Sequence, residues 1–161
     1  MRLLDKMKGK ELTTIKEIDR IKDKILSGWV LSIDPGSKLA GYALFHKGAL
    51  VKGGTLDAGE DPIAKRLGSM GRDISDILTS AGVDYVDLVL VEKVRTSTGH
   101  VYLTWSTGAL LSSTNANKVI EITTTQWKKN VNKDKYIKSD KQDAEEIGKF
   151  AIQIARDLAQ E

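Results

Sequence analysis

Four acidic residues stand where the chain's own punctuation leaves a carboxylate at the end of a buried element. Asp34 closes the run Trp29–Ile33, and Pro35-Gly36 then break the strand. Glu92 closes Val86–Val91, a nearly continuous apolar run typical of a central strand. Asp140 and Asp143 fall in the first turn of a helix whose start is marked by the capping box Ser139-x-x-Gln142. At about 100° per residue, Ile147, Ala151, Ile154 and Leu158 share one narrow face of that helix. Asp140 lies on the same face and Asp143 at its edge, while Glu145, Glu146, Lys149 and Arg156 are expected to point the other way. Each acid has a plain structural explanation: Asp-Pro-Gly is a common turn, and acids suit a helix N-terminus. The dipole accounts less well for two acids on the apolar side. If the strands ending in Asp34 and Glu92 are parallel neighbours, both carboxylates project at one sheet edge. Three or four carboxylates without histidine are a ligand set for Mg²⁺, with Mn²⁺ able to substitute. Two such ions, about 4 Å apart, clamp a phosphodiester, one activating water and the other stabilising the leaving oxygen. Such acids repel one another without metal, so the cluster costs stability and points to function.

The elements that must position them can be read in order. Leu12, Ile15, Ile18, Ile21 and Ile25 recur at helical spacing and predict one amphipathic helix ending near Ser27-Gly28. Residues 1–28 carry eight Lys or Arg against five acids. A helix packed on the domain explains most of them as a solvated face, and is favoured over a dimerisation or DNA-contacting arm. Three strands follow as a meander, Trp29–Asp34, Ala40–Lys47 and Ala49–Leu56, with Lys47-Gly48 at the second turn. Asp61-Pro62 opens a helix with Ile63, Leu67, Met70, Ile74 and Ile77 or Leu78 as its buried stripe. After Glu92 come a Thr/Ser-rich loop holding Lys93 and Arg95, a helix over Val101–Ser113, a strand over Lys118–Thr123 and the final helix. The pattern predicts an α/β fold with a five-stranded mixed sheet flanked by helices. Residues 29–161 would form the domain and residues 1–28 an N-terminal helical extension.

Composition narrows the chemistry. The chain has 161 residues, enough for one domain with a real core, and is 40% hydrophobic and 29% charged. Zero cysteines exclude disulfides and thiolate metal sites, and only His46 and His100 could supply imidazole. No apolar run is long enough to span a membrane, and the charged first residues lack the apolar core of a signal peptide. A cytoplasmic location is the expectation. A net charge of +3 and a pI near 9.0 permit a nucleic-acid partner. The charge is concentrated between Lys118 and Lys141, where seven lysines face Glu121, Asp134 and Asp140. Lys128, Lys129, Lys133 and Lys135 there could neutralise backbone phosphates. Trp127 is read as core rather than a base-stacking platform.

Four short motifs now carry a resemblance. Ile33-Asp34-Pro35-Gly36-Ser37 with Gly41-Tyr42 resembles the opening motif of RuvC-type Holliday junction resolvases, and Val91-Glu92-Lys93-Val94 resembles their second. Thr125-Gln126-Trp127-Lys128-Lys129 resembles the family's basic loop, and Ser139-Asp140-Lys141-Gln142-Asp143-Ala144 its closing motif. The match runs from about Trp29 to Ala159. It implies an RNase H-like fold, a homodimer and Mg²⁺-dependent paired nicking of four-way DNA junctions. Carried over, the catalytic and metal-binding residues are Asp34, Glu92, Asp140 and Asp143. The family's aromatic wedge after the second acid is missing from Lys93-Val94-Arg95-Thr96-Ser97, with Tyr102 and Trp105 only later. The short chain and this altered loop suit a bacteriophage member. Competing readings are an RNase H-like nuclease acting on other branched DNA or on RNA, and a non-catalytic junction-binding protein. An actin-type ATP-binding protein needs two domains, and this chain is too short for them.

Overall fold

The computed structural model describes residues 1–57, 59–93 and 101–161, with Val101 by its backbone alone. A 3₁₀ turn (Leu3–Lys6), α1 (Glu11–Arg20) and α2 (Lys22–Ser27) precede a meander of β1 (Trp29–Asp34), β2 (Leu39–His46) and β3 (Ala49–Asp57). Then come α3 (Ile63–Ser80), β4 (Leu88–Glu92), α4 (Val101–Ser112), β5 (Val119–Ile122), α5 (Thr124–Lys128) and α6 (Asp140–Ala159). The strands form one mixed sheet in the order β3-β2-β1-β4-β5. β1 runs antiparallel to β2 and parallel to β4, and β4 runs parallel to β5. Lys47 and Gly48 both take positive φ, 54° and 78°, as a two-residue hairpin between β2 and β3 requires.

Strand alternation divides the core into two layers. Val30, Leu88, Leu90, Ile120 and Ile122 pack with α6 on one face. Leu31, Ile33, Tyr42, Leu44, Val89 and Val91 pack with α3 and Leu110 of α4 on the other. Both faces are covered, so β1 and β4 read as apolar runs rather than alternating ones. By the same parity Ser32, Asp34 and Glu92 belong to the α6 face. The Ser32 hydroxyl is buried there and donates to the Ala144 carbonyl at 2.5 Å, fastening the first turns of α6 to the central strand.

Two expectations are corrected. The N-terminal segment is two helices, because Ile21 leaves the helical region at φ −126° and ψ 18°. The break lets α1 bury Ile15 and Ile18 and α2 bury Ile25, while Leu12 stays half exposed. Leu3, Met7, Ile15, Ile18 and Ile25 all join the core layer around α6. The second correction concerns α6. Its polar face is not solvated throughout: Glu145 is 9% exposed, and Phe150, Ile152 and Ala155 are buried beside the expected stripe. The sheet covers one side of α6, and the N-terminal helices cover the other. The buried Asp157 accepts from the Leu4 amide at 3.0 Å, tying the 3₁₀ turn to the far end of the helix. Ser139 caps α6 by accepting from the Gln142 amide at 3.1 Å, but the Gln142 side chain turns forward to Glu146. Only half of the expected capping box forms.

Candidate active site

The sheet brings the first two acids together by register alone. Ile33 pairs with Val91 across the parallel β1–β4 ladder, so Asp34 and Glu92, the next residues, leave the sheet side by side. The N-terminus of α6 delivers the other two. Asp34 lies opposite Gly41 on β2, and the main chain of Asp140 rests directly on Gly41. A Cβ added at Gly41 would stand 1.8 Å from the Asp140 carbonyl oxygen. Only glycine allows this approach, which sets α6 at the sheet end that carries Asp34 and Glu92.

The electrostatics register the convergence. Burial, then a shared hydrogen bond and the charge of Glu92, then the charges of Asp143 and Asp140, push the Asp34 carboxyl up to about 9. All four acids therefore act on one point. Two hydroxyls brace the cluster from the segment before α6. Thr124 Oγ1, in the first turn of α5, donates to Glu92 Oε1. The Tyr136 hydroxyl donates to Asp143 Oδ1. Burial first and then the Asp143 carboxylate push the Tyr136 hydroxyl well above its ordinary range, so it remains a donor. From the opposite side, the buried Ser106 hydroxyl of α4 donates to the Gly36 carbonyl at 2.6 Å, pinning the turn after Asp34.

Among the described residues no group of three acids or histidines is set to hold a metal ion as it stands. The donor chemistry nonetheless fits a divalent cation. Burial and three neighbouring carboxylates raise the proton affinity of Asp34, and no basic side chain is among the causes of that rise. The cluster has an excess of negative charge that hard, oxygen-seeking Mg²⁺ or Mn²⁺ would offset.

The basic residues divide. Lys129 is half-buried, and its Nζ donates to Glu11 Oε1 at 2.6 Å and to the Lys6 carbonyl at 3.1 Å. It thus ties α5 to the N-terminal segment. Lys93 is exposed directly after Glu92. Lys128, Lys133 and Lys135 are exposed along α5 and the segment that leads to Tyr136. Among the described residues these four form no ion pair within 4 Å. Arg95 lies outside the described residues, as does the rest of the loop from Val94 to His100. Trp127 is 1% exposed and belongs to the core, as read from the sequence.

Sequence reading missed Thr124 and Tyr136 as site residues. The capping box Thr123-x-x-Gln126, complete in the structure, is the signal that would have placed a helix start at Thr124. No local signal marks Tyr136, whose contact with Asp143 arises only when the chain doubles back into α6.

No protein-family model matches the chain, and no curated protein matches it in sequence. Solved structures do. The chain is similar to Thermus thermophilus RuvC in complex with a Holliday junction substrate, with a TM-score of 0.63 and 19% identity over 80% of this chain and 94% of that one. It is also similar to a second Thermus thermophilus RuvC structure, with a TM-score of 0.55 and 19% identity over 82% of this chain and 95% of that one. At this identity the likeness shows the fold: an RNase H-like mixed sheet of five strands with helices on both faces.

Proposed function

We propose that this chain is a metal-dependent nuclease that resolves four-way DNA junctions. One observation carries the reading: the β1–β4 register sets Asp34 and Glu92 side by side at the sheet end where Gly41 seats the start of α6, which bears Asp140 and Asp143. Asp34, Glu92, Asp140 and Asp143 would hold two Mg²⁺ ions. When bound, Mg²⁺ supplies the positive charge that offsets the four acids and polarises a phosphodiester toward attack by water. Asp34, whose carboxyl burial and the neighbouring acids push up to about 9, would lose its proton on holding a cation. Gly41 and Ser32 hold the α6 acids against the strand acids, and Ser106 holds the turn between them. The exposed Lys93, Lys128, Lys133 and Lys135 neutralise backbone phosphates, which positions DNA without reading its sequence. Arg95 belongs to the same group by its place after Glu92. Lys129, occupied by Glu11, takes a structural part instead.

The choice of a junction as substrate rests on the four ordered motifs and on the fold shared with the RuvC structures, one of which is described with a Holliday junction substrate. Paired nicking of opposed strands needs two sites, so a homodimer is the working unit of this proposal. Residues 29–161 form its nuclease domain and residues 1–28 brace α6 from outside. The test is cleavage of a synthetic four-way junction in Mg²⁺ by wild type and by Asp34→Asn. Symmetric nicks by wild type, lost in a variant that still binds, support the reading. Cleavage of flaps or RNA hybrids without paired junction nicks keeps the chemistry and replaces the substrate. No cleavage of any of these would overturn the nuclease and leave a junction-binding protein.

A further inference from the structure

Lys128, Lys129, Lys133 and Lys135 are expected from the sequence to meet backbone phosphates, yet Thr124 and Tyr136 of the same segment face the acids. Thr124 Oγ1 donates to Glu92 Oε1, and the Tyr136 hydroxyl donates to Asp143 Oδ1. One acid comes from the sheet and the other from α6, so this single segment grips both halves of the cluster. The grip is itself anchored. Thr123 caps α5 through a complete capping box, which fixes Thr124 in the first turn. Tyr136 packs edge-on against the buried Trp127, with ring centroids 6.2 Å apart. Lys129 secures the end of α5 to Glu11.

We infer that Thr124 and Tyr136 are positioning residues, which hold Glu92 and Asp143 in the orientation that a divalent cation needs. This inference rests on the nuclease reading above. A carboxylate has two oxygens, and each hydroxyl engages one of them. The other oxygen is thereby directed and its rotation suppressed. Hydrogen-bonded partners of metal-ligating groups typically account for about 10–100-fold in metal affinity. The lysines of the same segment have a separate job on backbone phosphates. The two roles are therefore separable by substitution. Tyr136→Phe keeps the ring against Trp127 and removes only the donor. Thr124→Val keeps the shape and leaves the Thr123 cap untouched.

The experiment is calorimetric titration of the purified full chain with Mn²⁺, alongside junction binding measured in EDTA. Wild type, Thr124→Val, Tyr136→Phe, Tyr136→Ala and Asp34→Asn are compared, and the thermal midpoint of each metal-free protein is recorded. The expected result is a Mn²⁺ affinity about 10–100-fold weaker in both hydroxyl variants. Their junction affinity in EDTA stays within about 3-fold of wild type, and Tyr136→Phe is closer to wild type than Tyr136→Ala in midpoint. Unchanged Mn²⁺ affinity in both variants overturns the inference while Asp34→Asn still loses binding. Equal loss of Mn²⁺ and junction affinity also overturns it, since that marks a merely structural contact. Wild type without saturable Mn²⁺ binding removes the nuclease reading, and this inference with it.

Discussion

Asp34→Asn should make the metal-free protein more stable while abolishing its chemistry. In the folded chain burial, Glu92 and the two α6 acids push the Asp34 carboxyl from an ordinary value of 3.8 up to about 9. A raised folded value means the proton is bound more tightly in the native state than in the unfolded one. The associated stability is complete below pH 3.8 and is lost as pH rises toward 9. At about pH 7.5, and about 1.36 kcal/mol per pH unit, folding with that proton held costs up to about 5 kcal/mol relative to the unfolded chain. Relaxation of the neighbouring acids and entry of water reduce this, so about 2–4 kcal/mol is the expected gain from Asn, whose amide can donate to Glu92 in place of the shared proton. For a domain of this size that is a rise of about 4–16 °C in the thermal midpoint. The assay is urea unfolding of both proteins in EDTA across about pH 4–9. The difference should grow with pH, vanish near pH 4, and shrink when Mg²⁺ stabilises wild type alone. Parallel stability curves, or a variant less stable at every pH, would refute the idea that the four acids converge on Asp34.

Other outcomes follow from the same geometry. Gly41→Ala forces the Asp140 main chain off β2 and should cost about 1–3 kcal/mol by urea unfolding, with junction nicking falling further than stability because the α6 acids are displaced. Ile18→Ala, fully buried in the layer around α6, should cost about 2–5 kcal/mol, which would mark the N-terminal helices as part of the core by chemical denaturation. Glu11→Gln releases Lys129 from a half-buried pair and should lower stability by about 1–2 kcal/mol in the same assay, leaving Mn²⁺ affinity unchanged. Replacing Lys133 and Lys135 by Gln should weaken junction binding alike for all sequences and reduce the salt dependence of log K by about one per lysine, read from titrations at several salt concentrations.

Much of this was legible in the chain because the local signals were strong. Trp29–Asp34 spans the same residues in the structure as in the sequence reading, since Gly28 precedes it and Pro35-Gly36 end it. The pairing of Asp34 with Glu92 followed from two buried strands of a mixed sheet. The length of the N-terminal helix was misread because five isoleucines and leucines at helical spacing do not reveal the bend at Ile21. That bend exists to wrap α1 and α2 around α6, a demand of tertiary packing. Glu145 is misplaced for another reason: its Oε1 lies against Gly53 of β3, so the sheet covers a position that the polar pattern assigns to water. Gly41 was visible as a motif residue, but its reason, the Asp140 backbone pressed against it, exists only in three dimensions. Thr124 and Tyr136 were hidden by the lysines around them, which drew the segment toward a charge-based reading.

The most direct test of the central claim is the anomalous scattering of Mn²⁺ in crystals of the protein grown with that ion. Two peaks are expected among Asp34, Glu92, Asp140 and Asp143 at the carboxyl end of β1 and β4, with neither present in Asp34→Asn. Mn²⁺ bound only elsewhere, or no peak in crystals of a protein that still nicks junctions, would contradict it.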